Sequence, residues 1–195
     1  GYISGNTKLS EKIQMQFGLR LEDTKTKGVN KELSQETSNN YTKLFPTFYL
    51  SYAEDDNNNF GLTYGRRINR PNFKDLNPFR FYINANSYTV GNPFLQPSFS
   101  HNIELSHLYK RKINSSVFLS ITTDGSGTVF TTDANDQTQI ITRENYYKQY
   151  NYGLKESFSF TKLSWLKSQN SINLLGYHTE FTKDFGTTPK NGVQV

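Results

Sequence analysis

The sequence predicts an all-β fold of antiparallel up-and-down strands forming part of a transmembrane β-barrel, with about eight strands in this chain. Three observations carry that prediction. Apolar residues fall at every second position in run after run. The connections between the runs alternate between short and long. The 195-residue chain is only 34% hydrophobic yet 15% aromatic, and it has no apolar stretch long enough for a spanning helix.

Residues 2–5 form a short first strand. Ile13, Met15, Phe17, Leu19 and Leu21 then alternate with Gln14, Gln16, Gly18, Arg20 and Glu22. Phe48, Leu50 and Tyr52 alternate with Thr47, Tyr49 and Ser51, and Phe60, Leu62 and Tyr64 with Gly61, Thr63 and Gly65. Phe99, Ile103, Leu105 and Tyr109 are set against Ser100, Asn102, Glu104 and Ser106. Val117, Leu119 and Ile121 face Ser116, Ser120 and Thr122, with Phe118 as an exception. Tyr150, Tyr152, Leu154, Phe158 and Phe160 oppose Gln149, Asn151, Gly153, Ser157 and Ser159. A last strand over about residues 168–181 has no clear parity.

Short connections are expected at residues 6–10, 53–59, 110–112 and 163–167, and long loops at about 24–40, 67–97 and 124–145. Short turns at one end and long loops at the other are the plan of an outer-membrane barrel. Each run is close to the roughly 9–11 residues that a tilted strand needs to cross a bilayer. The apolar face then meets lipid, and the polar face lines a water-filled or plugged interior. A small closed barrel, or a soluble β-sandwich with its apolar face buried against a second sheet, is the alternative.

Composition removes several function classes. There is no cysteine, so no disulfide framework or thiolate chemistry is available. A net charge of +5 is mild. Lys110, Arg111 and Lys112 sit at a predicted hairpin tip without the interleaved aromatics of a nucleic-acid surface, so no nucleic acid is expected as a partner. No nucleophile, base and orienting group fall into a set and no phosphate-cradling loop occurs, so neither an enzyme nor a cofactor is expected.

The most distinctive stretch is RRINRPNFKDLNPF at residues 66–79, which follows FGLTYG directly. Pro71 lacks an N–H and restricts Arg70 to extended conformations, so regular pairing should end there. Asn77-Pro78 starts a further turn, and GNPFLQP at residues 91–97 closes the loop. Phe73, Phe79, Phe81, Tyr82, Tyr88 and Phe94 give this segment more apolar area than a mobile loop carries. It should pack on itself or against the rim.

The run from GLTYGRRINRPNFKDLNPF to GNPFLQP resembles the outer-membrane β-barrel part of TonB-dependent-receptor-like proteins of Gram-negative bacteria. FGLRLEDTKTKG, YTKLFPTFYLSY, HNIELSHLYK and YGLKESFSF extend the resemblance over nearly the whole chain. It implies location in the outer membrane, contact with its lipid, and a barrel of about twenty-two strands. It also implies uptake of an extracellular ligand, powered through TonB by way of a plug domain. No plug domain is recognised in this chain, so the chain reads as one partial barrel region.

The candidate ligand-binding residues are Arg67, Arg70, Asn72, Phe73, Asp75, Asn77 and Phe79, all in the long 67–97 segment. Arg66, Arg67 and Arg70 can bind an anionic ligand or lipid phosphates at the outer rim. The plainer reading pairs them with loop carboxylates such as Asp75. If the parity of Phe60, Leu62 and Tyr64 continues, Arg66 faces lipid and Arg67 faces inward.

Two weaker signals complete the reading. DANDQTQIITRE at residues 133–144 spaces Asp133, Asn135, Gln137 and Glu144 partly like a calcium loop. It has Thr138 where glycine is needed, so no metal is expected. His101 and His107 share a parity but lie about 20 Å apart along their strand, too far to hold one metal. They join Tyr41, Tyr52, Tyr109, Tyr146, Tyr147 and Trp165 as candidates for interfacial positions.

Overall fold

The computed structural model describes residues 1–30, 35–134, 137–163, 166–185 and 190–194. The strands are β1 (Tyr2–Lys8), β2 (Ile13–Asn30), β3 (Gln35–Ala53) and β4 (Asn58–Asn69), then, beyond the helical turn α1 (Phe73–Leu76), β5 (Arg80–Asn84) and β6 (Ser87–Val90). They continue as β7 (Ser98–Tyr109), β8 (Ile113–Thr132), β9 (Gln139–Leu163), β10 (Leu166–Phe181) and β11 (Lys190–Gln194). The sheet runs β1-β2-β3-β4-β7-β8-β9-β10-β11, and every neighbouring pair on this path is antiparallel.

The pairing register explains why the alternation in the sequence shifts parity from strand to strand. It places Met15, Leu50, Leu62, Leu105, Val117, Leu154 and Leu174 side by side across seven strands in register. Three positions along, on the other face, Gly18, Thr47, Gly65, Asn102, Ser120 and Asn151 form a polar row. Ser120 donates to Asn102 Oδ1 at 2.8 Å within that row. A one-residue slip in any strand would swap its faces, so each parity change is compensated by its neighbour's register.

Among the described residues no second layer covers the apolar face. Leu105 is 56% exposed, Phe17 and Leu154 are exposed too, and none of them belongs to the buried core. A sandwich would have buried all three, and this disposes of that alternative. Phe118, the exception in the sequence, points to the polar side. It lies opposite Gly153, with Lys155 Nζ 4.5 Å from its ring centroid, and Lys155 pairs with Glu104 at 3.4 Å.

The structure corrects two of the predicted loops. Residues 24–30 and 35–40 continue β2 and β3 as a two-stranded ribbon paired from Thr24↔Tyr41 to Asn30↔Gln35. The described residues of 124–145 are likewise mostly strand, carried by β8 and β9 as far as Thr132↔Gln139. Both faces of a ribbon above the membrane are wet, so the apolar period fades while backbone pairing persists. The third loop is bounded by Asn69 and Ser98 and contains α1, β5 and β6. These two short strands and β11 are additions to the eight that were expected. In β10, Ile172 and Leu174 share the apolar face with Leu154, which resolves its parity.

The short turns hold the opposite end. Asp55 Oδ1 accepts from Asn57 N at 2.7 Å and Asn58 N at 2.8 Å. The hydrogen bond from the Asn58 side chain, then that from Asn57 N–H, hold its carboxyl below the ordinary aspartate range. At the next turn Lys112 N donates to Tyr109 O at 2.9 Å, with Lys110 and Arg111 at φ 48° and 55°. This left-handed pair suits Asn-Gly far better than two long cations.

Two outcomes follow from these assignments. Arg111→Gly raises the unfolding free energy of the intact barrel by about 1 kcal/mol in a denaturant titration in detergent micelles. Leu154→Arg, on the apolar face, lowers folding stability in lipid vesicles by about 2–4 kcal/mol, while Asn151→Arg on the polar face leaves it nearly unchanged.

Candidate functional site

The site lies at the end of the sheet opposite the short turns, where residues 70–97 fold over the tall β8–β9 ribbon. Asn72 caps α1 by accepting from Asp75 N at 3.0 Å. Asn77 closes it, its N–H reaching Phe73 O at 3.0 Å and its Oδ1 accepting from Phe79 N at 3.2 Å. Gly91 N then donates to Asn77 O at 2.9 Å, and Asn92 N to Asp75 O at 2.7 Å. The backbones approach so closely there that a Cβ on Gly91 would lie 2.4 Å from Asn77 O. Only glycine fits.

Side chains of β9 lock the segment down. β6 pairs parallel with β9, Tyr88 opposite Ile140. Asn92 Nδ2 donates to Arg143 O at 3.0 Å and Glu144 Oε1 at 2.9 Å. Gln96 and Asn145 exchange hydrogen bonds of 2.8 and 2.9 Å. Tyr88, Leu95 and Val129 are buried. The loop therefore packs on the rim, as its aromatic content predicts, but Phe73, Phe79, Phe81, Tyr82 and Phe94 stay exposed, Phe73 at 79%.

The candidate residues divide into two groups. Asn72, Asp75 and Asn77 are spent on the shape of the loop, and Asp75 also lies 3.9 Å from Arg143 Nε. Phe73 and Phe79 are displayed to solvent. Arg67 lines a cavity of about 580 Å³ together with Thr47, Thr63, Ser100 and Asn102 of the polar face. Arg70 forms an ion pair with Glu22 of β2 rather than with a loop carboxylate. Burial draws its pKa down, but hydrogen bonds to Tyr41 and Glu22 outweigh that and raise it overall.

Several contributors were not singled out in the sequence for the contacts they make. Arg143, Glu144 and Asn145 of β9 lie about fifty residues from the loop they hold, and no local pattern announces them. Arg66 is another. Its guanidinium carbon stands 5.8 and 4.9 Å from the Phe45 and Phe99 ring centroids, and Nη1 donates to Leu44 O at 3.1 Å. Here a signal did exist, because Pro46 within an alternating run marks a strand that cannot pair fully on both sides.

The histidines are ring partners. His101 Nδ1 lies 2.9 Å from the Tyr64 hydroxyl, and His107 stacks on Phe60 at 4.5 Å between centroids. Tyr146 meets Tyr147, Phe181 and Phe185 in one aromatic cluster near the outer ends of β9 and β10. Trp165, Asn135 and Asp136 lie outside the described residues.

Residues 1–194 match the family model described as the outer membrane protein beta-barrel family. The chain belongs to that family. The fold agrees with solved outer-membrane barrels. A siderophore receptor, PirA of Pseudomonas aeruginosa, superposes with a TM-score of 0.64 at 17% identity, over 98% of this chain and 40% of that one. The copper transporter OprC gives 0.65 at 12% identity, over 97% and 29%. The FrpB iron transporter of Neisseria meningitidis gives 0.58 at 14% identity, over 92% and 25%. This outer membrane barrel chain therefore spans between a quarter and two fifths of these receptors. No curated protein sequence matches it.

Gly91→Ala tests the rim architecture directly. It should release residues 73–97 from β9, seen as faster limited proteolysis within that segment while the barrel strands stay resistant.

Proposed function

We propose that this chain is part of the wall of a TonB-dependent uptake receptor, and that its 67–97 segment helps to capture a ligand outside the cell. The observation that carries this is the rim segment itself. It is fixed to β9 by a hydrogen-bonded frame yet leaves Phe73, Phe79, Phe81 and Phe94 exposed. A frame that rigid keeps the ordering cost of binding low, and exposed aromatic rings supply contact area.

Phe73 and Phe79 touch the ligand in this reading, and Arg67 faces it from the polar interior. Asn72, Asp75 and Asn77 set the loop's shape, while Arg70 ties it to β2 through Glu22. The barrel family and the fold shared with receptors for siderophores and transporters of copper and iron support transport over catalysis. Energy arrives from TonB through a plug domain of the whole protein.

The test uses cells carrying the intact receptor and radiolabelled iron chelates and copper as probes. Substituting Phe73 and Phe79 together by alanine should lower uptake of the transported species about tenfold at unchanged barrel levels. Unchanged uptake of a species that the intact receptor does import would remove the segment from the capture role.

A further inference from the structure

The wall is broken in its outer half. The β3–β4 ladder stops at Thr47↔Gly65, although β3 continues upward along β2 and β4 continues to Asn69 along β7. The next residue of β3 is Pro46, which has no N–H to offer β4. A notch opens there between two strands that are adjacent lower down.

Side chains of opposite faces meet in the notch. Phe45 has the parity of the polar face and pairs with Arg20, while Phe99 has the parity of the apolar face and pairs with Ile68. Their rings nevertheless stack, with centroids 6.3 Å apart, and Phe45 is only 2% exposed. An unbroken sheet would keep them on opposite sides. The cavity beside them has the same mixed lining: Thr47, Arg67, Ser100 and Asn102 from the polar face, Tyr64 and Arg66 from the apolar one.

Positive charge collects at this point without enough carboxylate to balance it. Arg20 Cζ lies 5.0 Å from the Phe45 centroid and Lys43 Nζ 5.6 Å from that of Phe99, with Arg66 over both. Glu22 is shared between Arg20 and Arg70, and Asp23 accepts from Thr42. Lys43, Arg66 and Arg67 have no carboxylate partner among the described residues. Arg66 Nε is buried with no acceptor, an arrangement that costs stability unless an anion fills it.

We propose that the notch and its cavity form a lateral binding site for a phosphomonoester anion, held by Arg66 and Lys43 beside Phe99 in the notch, with Arg67 at the polar-face end of the cavity. Convergent guanidinium and ammonium groups fit the several oxygens of a phosphate better than the two of a carboxylate. Because Tyr64, Arg66 and Phe99 carry the parity of the apolar face, the notch can be reached from the lipid side, and the favoured source is the phosphorylated head of an outer-leaflet glycolipid, with its chains lying against the wall. Free phosphate offers the same chemistry. The proposal rests on the apolar face being lipid-facing and not on uptake, so loss of the capture role would leave it standing.

The intact receptor is reconstituted with bisphosphorylated lipid A or with its dephosphorylated form, and bound lipid is read by native mass spectrometry. Inorganic phosphate is titrated separately into lipid-free micelles by calorimetry. Selective retention of the phosphorylated lipid, weakened at least about tenfold by Arg66→Gln and by Lys43→Gln but not by Lys112→Gln at the far end, supports the lipid source. Phosphate binding with the same variant dependence, and no lipid preference, assigns the site to free phosphate. Should Arg66→Gln fail to fold, Lys43→Gln and Arg67→Gln decide. Neither ligand bound, or binding indifferent to these substitutions, overturns the site.

Discussion

Inside hydrocarbon a backbone N–H or C=O has no water to turn to, so each must find its partner on the neighbouring strand. That requirement fixes the whole molecule. It forces long antiparallel ladders, and once the ladders are in register the side chains sort into two faces. The row from Met15 to Leu174 and the row from Gly18 to Asn151 are the two outcomes of one pairing scheme. No buried core is needed, and among the described residues the buried apolar ones are few. Their place is taken by lipid on one side.

Aromatic rings give this thin wall part of its cohesion. Several lie flat on the backbone of glycines in the adjacent strand. A Cβ on Gly125 would come within 2.2 Å of the Tyr147 ring, and one on Gly176 within 2.5 Å of Tyr152. Glycine in a strand interior weakens pairing on its own, and a ring laid across it restores contact and excludes water from its ladder bonds. High tyrosine and glycine content in a chain poor in aliphatic residues thus has a structural meaning.

The bilayer-crossing parts were legible in the sequence because lipid imposes period two on them. Where that pressure ends, legibility ends too. Thr24, Lys25, Asp124 and Gly127 carry no apolar alternation, yet they lie within or beside paired strand, since backbone pairing needs no apolar period. At the site, the role of Asn72 and Asn77 as turn formers could be read locally. That Arg70 reaches Glu22, 48 residues away, could not, because only the strand order brings β2 beside the loop. The same holds for Asn92 and Glu144, 52 residues apart.

Arg66 shows how one local rule produces an exception with consequences. Pro46 removes the donor that would carry the β3–β4 ladder upward, and the carbonyl of Leu44 would be left unpaired at membrane depth. The Arg66 side chain supplies the missing donor, but it brings a full positive charge where a backbone amide would have brought none. Phe45 and Phe99 shield that charge through their ring faces without neutralising it. A proline in a strand has therefore been exchanged for an unbalanced cation beside a cavity. The positive charge at this point of the wall thus originates in a backbone donor that Pro46 cannot supply.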